Sequence, residues 1–409
     1  MERYKKINLF ILNIYCFLFI LTMFNREFNP FGIDLRYIQV ILALILIGIS
    51  GYEILIKKNT IPHINKLIVS IIIFYIYFII VNLRWLNNGL TINTSDFINM
   101  IILSMSNLLT VLILFLNKKN ISYKNIIVFI IISGVILLIS MVLIWIGIPM
   151  ASIMGGDYSG IYPGVENLNF FGQEGRIAGY AQDPNYASMF MVILALTAFY
   201  YIDNNKIRYS IIGAGVFGYL LAASKTVGIA FIFISMMILI LKINKKCLAK
   251  YYNIIFSSLV VIISILPYII IKVMLLFGYS FNMETMSTRM VMWINAINLF
   301  ESNPIFGNGI TSVRSSFAEQ LNGWYVHCHS TIFQFMSEMG IIGLIMFVII
   351  MILVLNKCNE YGKYICSIFL IFCVTSELLH LTLFAFIIGI LPLIMNNNER
   401  KLLYKKDEE

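Results

Sequence analysis

Long runs of apolar residues, separated by short polar segments, recur along the whole 409-residue chain. A helix needs about 20 apolar residues to cross about 30 Å of hydrocarbon. The pattern predicts twelve such helices, the last two being the least clearly separated: 8–24, 37–56, 67–83, 97–117, 126–148, 185–202, 207–223, 226–243, 253–275, 331–355, 364–378 and 380–395. These Ile- and Leu-rich runs lack the alternation of barrel strands, so the predicted fold is an all-α polytopic membrane protein.

The composition and the charge distribution agree with this fold class. Hydrophobic residues make up 60% of the chain and charged residues 12%, whereas about a quarter of a soluble domain is charged. Because Lys and Arg beside short loops are retained in the cytoplasm, we place both termini there, which puts 21 of the 29 basic residues on that side. The net charge of +9 is then a topology signal, and we predict membrane lipids and no nucleic acid as partners.

The start of the chain is interpreted as a retained first helix, so residues 1–409 form one membrane domain. Met1–Lys6 and the apolar run after it resemble a secretory signal, but the following Phe24-Asn25-Arg26-Glu27 is bulky and charged and offers no cleavage site. The six cysteines have no pattern of a disulfide framework or of a zinc site. We therefore predict no metal and no cofactor.

Two segments on the predicted outer side, 149–184 and 276–330, are much longer than the other external loops. Loops longer than about 15 residues are usually functional or disordered. Both segments contain aromatics, prolines and isolated arginines, which is not the composition of disorder. Residues 288–300 also have amphipathic helical spacing and are expected to lie at the membrane interface.

These segments contain the candidate anion-binding residues. Arg176 and Arg289 each lie in one external segment, and Arg314 is a third candidate. A planar guanidinium suits a phosphate or pyrophosphate group at the membrane surface, but arginines also anchor at head groups, and this alternative stays open. Lys225 lies at the outer end of a helix hairpin, where it could assist an anionic head group or simply cap the helix.

The candidate base is His329, at the outer start of an apolar helix. Eleven residues at about 100° each return within about 20° of the starting face, so we expect His329 and Gly340 on one helix stripe, with Gly343 close by. Helix packing alone would explain these glycines. An imidazole with a pKa near about 6.5 could accept a proton from a sugar hydroxyl.

Other motifs are interpreted more simply. The run Gly213–Gly218 fits the dinucleotide fingerprint by letter, but it lies inside a predicted span with no preceding strand, which favours helix packing. Glu338 and Glu377 fall within spans, where a carboxylate suggests a role or a buried partner. The external segments contain no Asp-x-Asp pair, so a metal-bound nucleotide-sugar donor is not indicated.

Taken in order, three motifs resemble the O-antigen polymerase and O-antigen ligase superfamily. They are an Arg-x-x-Gly…Pro-Asn motif at the start of a helix (Arg176, Gly179, Pro184, Asn185), Arg289-x-x-x-Trp293 followed by Asn303–Gly309, and a His-Ser-x9-Gly-x-x-Gly block (His329, Ser330, Gly340, Gly343). The resemblance covers about 170 to 350 and, through helix count and loop placement, most of the remaining chain. Ser330 departs from the Asn often seen in the family, whose pattern also admits Ser.

The resemblance implies a metal-independent, inverting glycosyltransferase of the bacterial cytoplasmic membrane, with its active site on the external side. Its donor would be a polyprenyl-pyrophosphate-linked glycan. Arg176 and Arg289 would stabilise the leaving pyrophosphate, and His329 would deprotonate the acceptor hydroxyl.

Three functions stay open at this point. We favour a polymerase of lipid-linked repeat units for O-antigen or capsular polysaccharide, because two external segments with an arginine each suit two lipid-linked substrates. The nearest alternative is an O-antigen ligase that transfers glycan to the lipid A core. A flippase would be expected to have paired repeats with broken helices and midplane charges, and the sequence has no convincing duplication. A chain-length regulator is a further candidate partner.

Overall fold

The computed structural model describes residues 2–25, 30, 35–55, 64–86, 94–148, 161–163, 175–181, 183–243, 245–277, 288–320, 328–376 and 382–394. Its helices are α1 (Glu2–Leu21), α2 (Leu35–Leu55), α3 (Lys66–Leu86), α4 (Thr94–Leu116), α5 (Tyr123–Trp145), α6 (Pro184–Tyr201), α7 (Asn205–Ala222), α8 (Lys225–Ile243), α9 (Lys245–Leu276), α10 (Thr288–Ser302), α11 (Ser312–Gln320), α12 (Thr331–Lys357), α13 (Glu360–Cys373), α14 (Thr382–Ala385) and α15 (Leu391–Ile394). A π-helical turn, Phe386–Ile390, joins the last two.

The all-α prediction is confirmed, with one small addition in the first external segment. The strands β1 (Ile161–Pro163) and β2 (Gly175–Ile177) pair antiparallel, and Tyr162 lies opposite Arg176. The helical turn Gly179–Ala181 follows β2 and leads to α6. This ladder fixes the backbone around Arg176.

Helices occupy every predicted span, although the count of twelve spans stays a prediction. Within the described residues, five helical segments are long and apolar enough to cross a membrane: Tyr37–Leu55, Lys66–Leu83, Tyr123–Trp145, Asn253–Leu276 and Thr331–Lys357. Shorter apolar helices are Lys6–Leu21, Met100–Leu116 and Lys225–Leu239. The chain therefore has the helices of a multi-pass membrane protein.

Two central helices, α6 and α12, begin directly after the candidate site residues. Helix α6 packs against α5, α7, α8 and α13, and its side chains from Ala187 to Ala198 are buried. Helix α12 packs against α3, α9, α10 and α13. Arg176 and Asp183 precede α6, and His329 precedes α12, so these two helices position the two halves of the candidate site.

Helix α12 is broken at Gly340, whose φ of 66° and ψ of −168° are not helical. Ile341 N–H donates to Pro304 O at 2.8 Å, and Ile342 N–H donates to Ile305 O at 3.4 Å. On the other side of the break, Ser337 O and Glu338 O accept from loop amides at 2.8 and 2.9 Å, and Met339 O accepts from the Tyr77 hydroxyl at 2.8 Å. These bonds supply the partners that the broken helix ladder lacks.

The break excludes the predicted common stripe of His329 and Gly340. His329 lies outside the helix, since α12 has Ser330 as its N-cap, and Gly340 interrupts the helical rotation between its two parts. The 100° rotation per residue applies only along continuous helix. A Cβ at Gly340 would lie 2.3 Å from Ile305 O, so this glycine allows close approach of a loop rather than of a helix.

Helix α10 and the loop after it lie along the first part of α12 and run in the same direction. The rings of Trp293 and Phe333 have centroids 5.6 Å apart, and further along Asn308 N–H donates to Ser337 O. Helix α11 then returns and is joined to α10 by a hydrogen bond of 3.1 Å from Asn295 Nδ2 to Ser316 Oγ. The predicted amphipathic helix therefore exists, and it buries Met292 and neighbouring residues within this packing.

Candidate active site

Arg176 is held by hydrogen bonds to two helices. Its Nε donates to Ala222 O, the last residue of α7, at 2.9 Å, and its Nη2 donates to Asn185 Oδ1 at 2.9 Å. The same Asn185 oxygen accepts from Ser224 Oγ at 2.8 Å. Three of the five guanidinium N–H groups have no partner among the described residues. The side chain is thus fixed while part of its donor face remains available.

The residues between Arg176 and α6 explain this placement. Asp183 is the N-cap of α6 and accepts from Asn185 N–H at 2.6 Å, while Pro184 occupies the first turn, where no helix donor is lost. Gly179 has a φ of +57°, and a Cβ there would lie 2.5 Å from Ser140 Oγ. The Arg-x-x-Gly…Pro-Asn motif therefore positions the guanidinium, with Asn185 contacting it directly.

The charge of Arg289 acts on the Arg176 guanidinium. The pKa of Arg176 is lowered, chiefly because burial disfavours its charge, while Asp183 raises it and Arg289 lowers it again. Arg289 is partly buried and lies more than a hundred residues further along the chain. Two guanidinium groups from separate segments therefore repel each other across one region. An anion between them would remove this repulsion.

Helix packing relates Arg289 to His329. Arg289 lies one turn before Trp293 on α10, and Trp293 packs against Phe333, which lies one turn after His329 at the start of α12. Arg289 and Trp293 are four residues apart on one helix and therefore share a face. The start of α10 and the start of α12 are therefore neighbours, and the candidate base lies on the same side of the molecule as the two arginines.

The backbone at His329 is fixed in an unusual conformation. His329 has a φ of +51°, in the left-handed region that His adopts more often than most residues. Beside it, the N-cap Ser330 accepts from Phe333 N–H at 3.4 Å. Thr331 donates to Ser376 O through its N–H at 2.9 Å and through Oγ1 at 2.6 Å. Ser376, which follows α13, thus supports the backbone turn that contains His329 and leads into α12. We call this turn the corner.

The other predicted residues lie at different distances from this cluster. Lys225 is exposed at the start of α8, directly after Ser224, so it lies beside the residues that hold Arg176. Arg314 lies in the first turn of α11, three residues after Thr311, whose N–H donates to Glu338 Oε1 at 2.9 Å. Arg314 is therefore near the Gly340 break. Glu377 lies outside the described residues.

Glu338 has the buried partner that its position suggested. The side chain is 2% exposed, and it binds the backbone where α11 begins. Gly343 lies one turn below the break on α12, and a Cβ there would meet Met339 at 2.3 Å. Glu338 and Gly343 both belong to the contact between α12 and the loop that joins α10 to α11. We call this contact the Gly340 junction.

Sequence reasoning missed the residues of α3 that hold this junction. Asn82 Oδ1 accepts from Ile310 N–H at 2.7 Å, and the Tyr77 hydroxyl donates to Met339 O. Asn82 is buried at 2% exposure. An Asn in an otherwise apolar run was the available signal, because a buried amide needs partners. Among the described residues, no group of three or more His, Cys, Asp or Glu lies together.

A comparison with protein families identifies the relationship. Residues 210–348 match the family model described as O-antigen ligase. This match confirms the resemblance to the O-antigen ligase and polymerase superfamily, whose members are glycosyltransferase-like enzymes acting on lipid-linked glycans. The matched region contains Arg289, Arg314, Lys225 and the block from His329 to Gly343, whereas Arg176 precedes it. No curated protein matches the chain.

Proposed function

We propose that the protein polymerises polyprenyl-pyrophosphate-linked oligosaccharide units into O-antigen or capsular polysaccharide on the outer face of the bacterial cytoplasmic membrane. The observation that carries the proposal is the partly buried Arg176 guanidinium, which Ala222 O and Asn185 Oδ1 fix in place within electrostatic range of Arg289. A like-charge pair in a partly buried region is favourable once it encloses an anion, and a pyrophosphate has the charge for two guanidinium groups.

In the proposed reaction, the imidazole of His329 accepts the proton of an acceptor sugar hydroxyl. The hydroxyl oxygen attacks the anomeric carbon of the donor, and the bond from that carbon to the pyrophosphate oxygen breaks. The configuration inverts, and the polyprenyl pyrophosphate leaves with the negative charge that Arg176 and Arg289 stabilise. Lys225, which lies beside the residues that hold Arg176, would add positive charge to the site. No metal has a step in this scheme.

The shape of α12 supports a site at the membrane boundary. Below Gly340, residues 341–357 span about 26 Å at 1.5 Å per residue, close to the hydrocarbon thickness of about 30 Å. The ten residues above, Thr331–Gly340, are all buried by protein. Since His329 precedes this part, it would lie outside the hydrocarbon, where a sugar hydroxyl can reach it.

An O-antigen ligase is the second candidate, because the matching family model has that description. The same three residues would serve, with the lipid A core as acceptor. A flippase is less well supported. Helix α12 is broken, as a transporter would require, but its free backbone groups bind Pro304, Ile305 and the loop amides, so the break is filled by protein.

The test uses the purified full-length protein in liposomes with lipid-linked repeat units as the sole sugar substrate. A polymerase is expected to give a ladder of products without lipid A core, and a ligase to give transfer only when the core is added. Lipid-linked sugar that crosses the bilayer without elongation would support the flippase and overturn the proposal.

The role of the arginines is tested with Arg176→Lys and Arg289→Lys. Lysine keeps the charge but loses the planar fork of donors, so each variant is expected to lower transfer by about tenfold, the equivalent of one hydrogen bond to a charged group. Arg208→Lys is the matched control, because Arg208 lies at the opposite end of α7, away from the Arg176 contacts. Full activity of both variants would contradict the pyrophosphate site.

A further inference from the structure

A groove of about 700 Å³ lies between α9 and α12, at the end of the bundle opposite to His329. The two helices run antiparallel here, so Asn253 at the start of the apolar part of α9 lies level with Asn356 near the end of α12. This is the end that the basic residues predict to be cytoplasmic. The groove is therefore separate from the candidate active site.

The lining changes from polar to apolar along the groove. Asn253 and Asn356 lie at its mouth beside Ile254, Ser257 and Ser258 follow one turn further in together with Ile352, and then Val261 and Ile262 complete the wall. From Asn253 to Ile262 the helix rises about 14 Å. A phospholipid has the same order of groups, from head group through glycerol to acyl chain.

The two serines of the groove lack the backbone hydrogen bond that Ser235 on α8 and Ser367 on α13 make to the preceding helical turn. Ser235 donates to Phe231 O at 2.8 Å, and Ser367 donates to Lys363 O at 2.9 Å. Ser257 and Ser258 have no side-chain hydrogen bond within the described part of the chain. Because a polar group facing lipid needs a partner, these hydroxyls are available to a ligand that enters from the membrane.

The mouth of the groove is rich in donors and positively charged. Lys363, which is 6% exposed, donates from Nζ to Asn253 Oδ1 at 2.6 Å. With its oxygen occupied, Asn253 offers two N–H donors. Glu360 interacts with Lys363 and offsets its charge, whereas Lys357, which follows Asn356 in the chain, lies within electrostatic range of Lys118 and adds positive charge to this end of α12. The remaining charge is complementary to an anion.

We propose that this groove binds an anionic phospholipid of the cytoplasmic leaflet. The phosphate lies at Asn253 and Asn356, close to the Lys363 ammonium that holds Asn253, the glycerol oxygens accept from Ser257 and Ser258, and one acyl chain follows Val261 and Ile262. Basic residues near a membrane surface gain about 1 kcal/mol each from anionic lipids. The bound lipid fills the space between α9 and α12.

The experiment is native mass spectrometry of the full-length protein, after exchange into equal amounts of phosphatidylglycerol and phosphatidylcholine. The wild type is expected to retain phosphatidylglycerol about fivefold more than phosphatidylcholine, the ratio that corresponds to one such charge contact. The double variant Ser258→Leu with Asn356→Leu, which breaks no hydrogen bond among the described residues, is expected to lose the preference. Ser235→Leu, a lipid-facing serine on α8, is the matched control.

Equal retention of both lipids by the wild type, or an unchanged preference in the double variant, would overturn the proposal. Displacement of phosphatidylglycerol by added polyprenyl phosphate would also overturn it, because the groove would then belong to the carrier lipid. Lys363→Gln keeps a hydrogen-bonding group toward Asn253 and removes the charge. It is expected to bind both lipids equally, and a retained preference would contradict the charge argument.

Discussion

The two parts of α12 on either side of Gly340 have different surroundings. From Thr331 to Gly340 every residue is buried, including Gln334 and Glu338. Below the break, Ile341, Ile345 and Ile349 are 40%, 51% and 45% exposed and form a stripe with helical spacing. Protein therefore covers the upper part, and we interpret the lower stripe as a lipid-facing surface.

This difference shows how one continuous apolar run contains two kinds of helix. The upper part accommodates polar side chains that have partners within the protein: Glu338 Oε1 accepts from Thr311 N–H, and Ser337 Oγ donates to Phe333 O. The lower part is apolar down to Leu355. If the two parts of α12 differ in this way, we expect substitutions above Gly340 to affect folding or transfer and conservative substitutions on the lower stripe to affect neither.

The largest effect is expected for His329→Asn. Asn tolerates the left-handed backbone at this position, so the fold should persist while the proposed base is lost. General base catalysis contributes about 10² to 10⁴ in rate, and transfer in the liposome assay is expected to fall by that factor. Unchanged thermal unfolding would show that the corner is intact. A variant with full transfer would exclude His329 as the base.

Gly340→Ala tests the break itself. The φ and ψ of Gly340 lie in a region that is essentially restricted to glycine, and a side chain there costs about 1–3 kcal/mol before its contact with Ile305 O is counted. We expect a lower unfolding temperature and less folded protein by size-exclusion chromatography. Gly213→Ala is the control, since a Cβ at Gly213 meets nothing within 4 Å. Equal stability of the two variants would contradict the junction.

Ser330→Ala is expected to have a smaller effect. The variant removes the N-cap of α12, where Ser330 Oγ accepts from Phe333 N–H, and such losses typically cost about 1 kcal/mol. Chemical denaturation in detergent measures the change in stability. Ser330→Asn keeps a capping oxygen and should restore most of the lost stability. If Ser330→Ala and Ser330→Asn are equally unstable, capping is not the function of this serine.

Ile345→Val on the lower stripe is expected to change transfer and stability the least of these variants. Surface substitutions away from special features usually stay within about 0.5 kcal/mol, so transfer and unfolding temperature are expected to match the wild type. Phe335→Leu, above the break in a fully buried position, is the contrasting variant and should destabilise measurably. Similar effects of these two changes would remove the distinction between the two parts of α12.

Much of the fold could be predicted from the local pattern of apolar residues. The arrangement of the candidate site, in contrast, depends on contacts between residues that are far apart in the sequence. Apolar runs predicted the helices, and the motif from Arg176 to Asn185 correctly indicated a structured start of α6. The bonds between Pro304 and Ile341, or between Asn82 and Ile310, have no local signal. A glycine in an apolar run is typical of helix packing, which is why the break at Gly340 was not predicted.

The proximity of Arg176 and Arg289 also could not be derived from sequence. Each arginine alone fits a head-group anchor, and only the folded structure places Arg289 within electrostatic range of Arg176. The proposed roles of both, and of Lys225 and Arg314, stay predictions. The liposome assay distinguishes an anion site from two independent anchors, because only the former couples both arginines to transfer.

The partners of the Gly340 junction have a consequence for biosynthesis. Tyr77, Pro304, Asn308 and Gly309 all precede Gly340 in the chain, so they have already left the ribosome when the lower part of α12 emerges. The corner at Thr331 instead requires Ser376, which is translated later. Since chains assemble from the N-terminal side during synthesis, the bonds at the helix break can form first, and His329 acquires its support only after Ser376 has been synthesised.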